Sequence, residues 1–269
     1  MRRALKIIQR IIKSSPLIYT EIKAAQLRRW TADDERRGKF YSNFINKKNL
    51  CFDIGANFGN RVKVFLRIGA KVIAIEPLSE CVKVLNTVYG TRPDLTLVDK
   101  AMGPVEGQSE IFVPDITVIA SMSRGWIEAV KKSGRFAGSN WLEIRKVEVT
   151  TIDKLIETYG IPDFVKIDVE GFEFEVIKGL TQPVGMLSLE YTAEYIESIL
   201  SSIDHLTSIG DFEFNYCEGE TMSFVLEKWV GAETLKDIMK KQGKLAAGDV
   251  YARNRFQFAS RANFLHSVN

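Results

Sequence analysis

Two stretches hold residues whose types and spacing could do chemistry. The first is DIGANFG at 53–59, followed by AIEP at 74–77. Gly55 and Gly59 behind an apolar run would let the backbone approach a ligand that the amides of the next helix then face. Glu76 lies 76 − 55 = 21 residues beyond Gly55, the interval at which an acid reaches ribose hydroxyls. Loop and acid would grip opposite parts of one adenosine-like molecule. The loop reads GANFG, so the third glycine of GxGxxG is missing, and with it the arrangement suited to a pyrophosphate. Asp53, two residues before the loop, would repel phosphates but suit a cationic amino-acid tail such as that of S-adenosylmethionine.

The second stretch is FVKIDVEGFE at 164–173. It sets Asp168 at the end of an apolar run, with Glu170 and Glu173 in the following turn and helix. Carboxylates gathered there repel one another unless a cation is near, and both a sulfonium and Lys166 qualify. Lys166 faces the same side of its strand as Asp168, and Glu190 on the next apolar run is its expected partner, leaving a structural pair and a catalytic lysine both open. Glu173 and Glu175 read as helix-start and surface acids. His205 falls in a predicted helix and His266 near the end of the sequence, neither placed for chemistry.

Both stretches need a scaffold. From residue 50 onward, apolar runs at 50–54, 71–75, 95–98, 164–167 and 186–189 alternate with helical segments at 61–68, 79–89, 173–178 and 194–209. Strands separated by helices of this length imply right-handed crossovers and a mostly parallel sheet, helices on both faces. Runs at 212–216, 222–226 and 250–252, with a helix near 235–241, predict an antiparallel addition at one edge. Residues 104–146, rich in Gly and Ser, read as an irregular insertion on the substrate side. The expected division is a basic amphipathic arm over 1–48, a cofactor-binding domain over 49–253 and a tail over 254–269.

The composition, 45% hydrophobic and 26% charged over 269 residues, is that of a globular chain with a full core. Cys51, Cys81 and Cys217 are too scattered for a disulfide framework or a zinc site, no spacing demands a metal, and a reducing cytoplasm is expected. Residues 1–48 carry 13 Lys or Arg against 4 acids, a surplus of nine, so with a total of +3 the remainder sums to −6. That balance argues against nucleic acid as a partner. An apolar stripe of Leu5, Ile8 and Ile12 backed by Arg2, Arg3, Lys6, Arg10 and Lys13 suits a helix that Pro16 ends. That helix either packs on the domain or makes weak contact, through residues 1–15, with an anionic surface at the inner face of a membrane. Gln9, Arg10 and Lys13 interrupt it too early for a signal peptide.

Taken in order, DIGANFG, AIEP, the segment TTIDKLIETYGIPDFVKIDVEGFEFEVIKGL at 150–180, LSLEYT at 187–192 and the closing GDVYAR resemble the FkbM-type S-adenosylmethionine-dependent methyltransferases. The resemblance spans roughly residues 48–253. It implies a doubly wound, Rossmann-like sheet of seven strands. It also implies Asp53, Gly55, Ala56, Asn57 and Gly59 around the methionine end of the cofactor, Glu76 and Pro77 at its ribose, Asp99 at the adenine, and Asp168 and Glu170 at the reacting groups. One of the last two would orient the donor or acceptor and the other take the proton. The family commonly has a serine-containing segment near cofactor or substrate. Ser121, Ser123, Arg124 and Trp126 match it, either as a hydrogen-bonding serine and aromatic plate for a sugar or as an ordinary anchored loop.

The expected activity is therefore O-methylation of a hydroxyl on a glycan, glycolipid or related metabolite. RNA or protein methylation and a non-catalytic binding protein are the alternatives, with a dinucleotide oxidoreductase remaining among enzymes.

Overall fold

The computed structural model describes residues 15–114 and 119–256. Its centre is a seven-stranded sheet of β1 (Leu50–Ile54), β2 (Lys71–Ile75), β3 (Leu95–Val98), β7 (Phe164–Ile167), β8 (Met186–Thr192), β9 (Phe212–Glu218) and β10 (Ala247–Asn254), ordered β3-β2-β1-β7-β8-β10-β9. β1 is parallel to both β2 and β7, so the winding direction reverses at β1 and a crevice opens beyond the carboxyl ends of β1 and β7. The central strands are buried on both faces, which is why they read as continuous apolar runs rather than alternating ones. The antiparallel element is the single strand β10, inserted between β8 and β9 and antiparallel to each.

One face of the sheet is covered by α1 (Pro16–Arg28), α2 (Ala32–Tyr41), α3 (Asn60–Ile68) and α4 (Ser79–Tyr89), which pack on Cys51, Val72, Ala74, Phe164, Met186 and Tyr251. The other is covered by α6 (Ile152–Tyr159), α7 (Glu173–Ile177), α8 (Ile196–Ile209) and α9 (Ala232–Met239) against Phe52, Ile54, Val165, Ile167, Leu187 and Leu189. The segment 15–45 is thus an integral layer rather than an arm. Ala24, Leu27, Tyr41 and Ile45 are buried, and Phe40 and Tyr41 join an aromatic cluster with Phe44, Phe65, Phe164 and Tyr251. Pro16 starts α1, because its fixed φ and missing N–H suit the first helical position. The stripe expected over residues 5–12 lies outside the described residues.

The insertion at 104–146 is not irregular. β4 (Ala101–Met102), β5 (Gly107–Pro114) and β6 (Trp141–Thr150) form a second sheet in the order β4-β6-β5, and α5 (Arg124–Ser133) packs beside it. Conversely, Met222–Leu226 forms no strand. Asn215 binds both backbone groups of Leu226, and the Val225 N–H donates to Tyr216 O, tethering a loop where a ladder was expected.

Candidate active site

The glycine loop has the backbone that its sequence requires. Gly55 (φ 80°), Asn57 (φ 50°) and Gly59 (φ 89°) all lie in the left-handed region. A methyl group on Gly55 would run into the carbonyl of Asp168, so the loop and the second acidic stretch are in direct backbone contact. Gly55 and Ala56 both donate to Ile75 O, which pins the loop over β2. Gly59 caps α3, whose first amides point back toward the crevice.

Glu76 ends β2 and is buried. It accepts from the Asn57 N–H and the Leu78 N–H, each at 2.8 Å, and so clamps the loop while each oxygen keeps a free lone pair. Burial pushes its carboxyl up to about 7 despite those two donors. Pro77 follows, half-buried, and Asp99 lies exposed just past β3.

Register then explains the polar residues of the core. Asp53, Lys166, Ser188 and Tyr251 are direct neighbours across β1, β7, β8 and β10 and therefore share one face of the sheet. Two residues further along each chain toward the crevice come Asp168, Glu190 and Asp249. Asp53 is buried, its Oδ2 has no hydrogen-bond partner, and burial pushes its carboxyl up to about 7 against the pull of Lys166 and Arg61. Lys166 is buried and donates to Asp168 (3.0 Å) and Asp249 (2.8 Å). Burial opposes its charge, but the two carboxylates outweigh this and hold the ammonium well above the ordinary lysine value. The sequence-expected pairing of Lys166 with Glu190 is thus replaced by one with Asp249. A lysine chain following the face reaches the same-strand Asp168 and, across β8, β10. Asp249 is a site residue that sequence reasoning missed, although GDVYAR, where it lies, was already part of the motif set.

Asp168, Glu170 and Glu190 are half-buried and bring carboxylate oxygens within 4.8 Å of one another. Burial pushes Asp168 up, but Lys166, a hydrogen bond with Glu190 and the charge of Arg61 together outweigh it and hold that carboxyl below the usual range. Burial, then the charge of Asp168, drives both Glu170 and Glu190 well above theirs. The cluster is thus one ionised carboxylate beside two groups that retain protons, a set that can both orient a hydroxyl and exchange its proton. Hard oxygen donors of this kind also suit Mg²⁺ or Ca²⁺.

Glu170 has φ 55° and is held from two sides. Ser121 donates its hydroxyl to Glu170 O at 2.6 Å. Glu173, buried rather than at the surface as its helix-start position suggested, accepts from the Val169 and Gly171 N–H groups at 3.1 Å and closes the turn; burial pushes its carboxyl up to about 7. Trp126 is buried against Gly171, where a Cβ would overlap its indole, and donates Nε1–H to Thr192. It is therefore an anchor for the turn, not an aromatic plate open to a sugar. Ser123 caps α5, while Arg124 is exposed beside Glu110. His205 bonds Leu180 O away from the cluster, and His266 lies outside the described residues.

The profile of the family described as "Methyltransferase FkbM domain" matches residues 53–208, which include every acid discussed above except Asp249. No curated protein matches the sequence. Solved structures similar in chain trace include the precorrin-6y C5,15-methyltransferase of Geobacter metallireducens, at 11% identity and TM-score 0.42 over 84% of this chain and 93% of that one. Aeropyrum pernix fibrillarin, solved with natively bound S-adenosyl-L-methionine, matches at 9% identity and TM-score 0.38 over 78% of this chain and 68% of that one.

Proposed function

Because the chain belongs to the FkbM methyltransferase family and is an S-adenosylmethionine-dependent enzyme, we propose that its reaction is O-methylation of a hydroxyl on a glycan, glycolipid or related metabolite. The observation that carries this reading is the juxtaposition of the glycine loop with the Asp168–Glu170–Glu190 set through the contact of Gly55 with the Asp168 carbonyl.

The residues present fit the cofactor. Asp53 supplies a buried carboxylate oxygen without a partner, Gly55, Ala56, Asn57 and Gly59 supply a loop whose left-handed turns at Gly55, Asn57 and Gly59 bring backbone to the crevice, and Glu76 with Pro77 follows the ribose-side strand. Asp99, exposed beyond β3, stands for the adenine edge. When bound, S-adenosylmethionine supplies an activated methyl carbon and a sulfide leaving group. Glu170, which keeps its proton on the left-handed turn, would orient the incoming hydroxyl, and Asp168, the ionised member of the set, would take the hydroxyl proton as the new C–O bond forms and the C–S bond breaks. Positioning of the nucleophile and general-base assistance, the latter typically about 10² to 10⁴ in rate, are the protein's share.

The test is calorimetric titration of the protein with S-adenosylmethionine, with Asp53→Ala and Glu76→Ala alongside, followed by mass spectrometry of glycan and lipid fractions for a methyl gain. Binding abolished or strongly weakened in both variants, together with a methylated sugar, is the expected result; binding unchanged in both removes the cofactor assignment. An acceptor carried on lipid would be met at a surface: Leu17 and Ile18 at the start of α1 are 82% and 55% exposed, next to the basic segment 1–15. No described helix is long and apolar enough to cross a membrane.

A further inference from the structure

A groove of about 780 Å³, within the roughly 300–1,000 Å³ range of small-molecule sites, runs between the insertion and α7–α8. Resting on the reading above, we propose that this groove is the acceptor site and that it takes an uncharged sugar, one without phosphate, sulfate or carboxylate near the methylated hydroxyl.

Three observations place it at the chemistry. Gly171 and Phe172, directly after Glu170, form part of its wall. A void of about 10 Å³ lined by Glu190 shares Gly171, Tyr195 and Ser198 with it, so the groove borders the carboxylate cluster. The 168–172 turn therefore divides cofactor loop from groove: Gly55 abuts it at Asp168, and the groove lies against it at Gly171. Methyl transfer between two bound molecules needs a shared partition of this kind carrying the base.

The lining sets the chemical class. Phe172 and Tyr195 offer apolar faces of the sort that pack on the C–H face of a pyranose, and Ser198 and Ser201 have hydroxyls with no hydrogen bond to another described residue. The charges exclude an anion. Among the described residues Arg124 is the one cation in the lining; it is paired with Glu110 at 3.3 Å and lies over the Phe112 ring at 4.6 Å. Of the lining acids, Glu110 pairs with Arg124 and Glu175 with Lys178, while Glu197 is exposed, so the nearby cations are committed and the one uncompensated charge is negative. Phosphate recognition calls for uncommitted Arg or Lys donors, and here an anionic acceptor would meet repulsion instead.

The experiment is saturation-transfer NMR on the protein saturated with S-adenosylhomocysteine, using a panel of neutral trisaccharides (β-glucan, mannan, chitin) and phosphorylated or sulfated counterparts. At least one neutral member is expected to bind, its signal falling about tenfold in Tyr195→Ala, the size of one lost aromatic face. Glu197→Arg, an exposed substitution that leaves the fold intact, is expected to shift preference toward the phosphorylated counterpart. The inference is overturned by tighter binding of a charged member to the wild type, by binding only of RNA oligonucleotides, or by neutral-sugar binding indifferent to both substitutions. The two readings separate: methylation of a sugar unaltered in both variants refutes the groove and leaves the reaction, whereas sugar bound in the groove with no methylated product refutes the reaction and leaves the groove.

Discussion

Lys166→Met removes the buried cation that two carboxylates share. Asp168 and Asp249 lie at 3.0 and 2.8 Å from Nζ, so their oxygens are at most about 6 Å apart even with the two contacts laid end to end. Two unit charges at that separation and an effective dielectric of about 20 repel by about 3 kcal/mol, a figure that a shorter separation raises and the 32% exposure of the Asp168 side chain lowers. Breaking such a buried pair costs about 3–5 kcal/mol, or roughly 6–20 °C in Tm for a chain of this size. The pH dependence carries a sign. In the wild type Asp168 is held below its unfolded value, so it stabilises above that value and the contribution is lost as pH falls through the lowered one. In the variant Asp168 faces burial without its cation and its carboxyl is raised instead, so stability falls as pH rises from about 4, and the deficit is larger at pH 8 than at pH 5.5. Thermal melts at both pH values check this, and Lys166→Met/Asp249→Asn should recover much of the loss by removing the repulsion. A melting temperature within about 2 °C of wild type at both pH values, or no recovery in the double variant, refutes the reasoning.

Other outcomes follow from the same geometry. Asp168→Asn should lower kcat by about 10² to 10⁴ with cofactor affinity unchanged, and a drop of similar size in affinity instead would reassign the residue to binding. Asp53 and Glu76, both pushed up to about 7, should release protons when a cationic sulfonium binds, so S-adenosylmethionine affinity rises between pH 5 and 8 more steeply than that of the neutral sulfide S-adenosylhomocysteine; calorimetry in two buffers of different ionisation enthalpy counts the protons, and equal slopes would discard the idea. Gly55→Ala, at φ 80° and against the Asp168 carbonyl, should lose cofactor binding by titration, and retention of wild-type affinity would show that the loop moves freely. Gly171→Ala should displace the Trp126 indole, read as a shift in tryptophan fluorescence and a lower Tm; an unchanged spectrum would contradict the contact.

The parallel strands and their crossover helices were legible because burial on both faces leaves unbroken apolar runs, and the cofactor loop because its glycines and Glu76 keep a fixed interval. The insertion was not, since Gly and Ser at 133–139 masked the alternation of QSEIFV and EIRKVEV, which are half-buried strands. Residues 15–45 escaped because their many charges hide the few positions, Ala24, Leu27, Phe40 and Tyr41, that reach the sheet. Within the site, sequence placed Lys166 on the strand, Asp168 at its end and Glu170 in the turn after it, but could not supply Asp249, whose partnership depends on β10 entering between β8 and β9. Nor could it show that Trp126 faces inward, because that depends on Gly171 lacking a side chain.

The pairing of β1 with β7 joins Cys51 to Phe164, more than a hundred positions along the chain. Until the later strand arrives, β1 has a hydrogen-bonding edge with no cover on that side, and closing so long a loop gives no reward before the end. Folding of the crevice is thus a late, high-contact-order event, and a nascent chain still short of residue 164 would be a substrate for chaperones before it could bind any ligand.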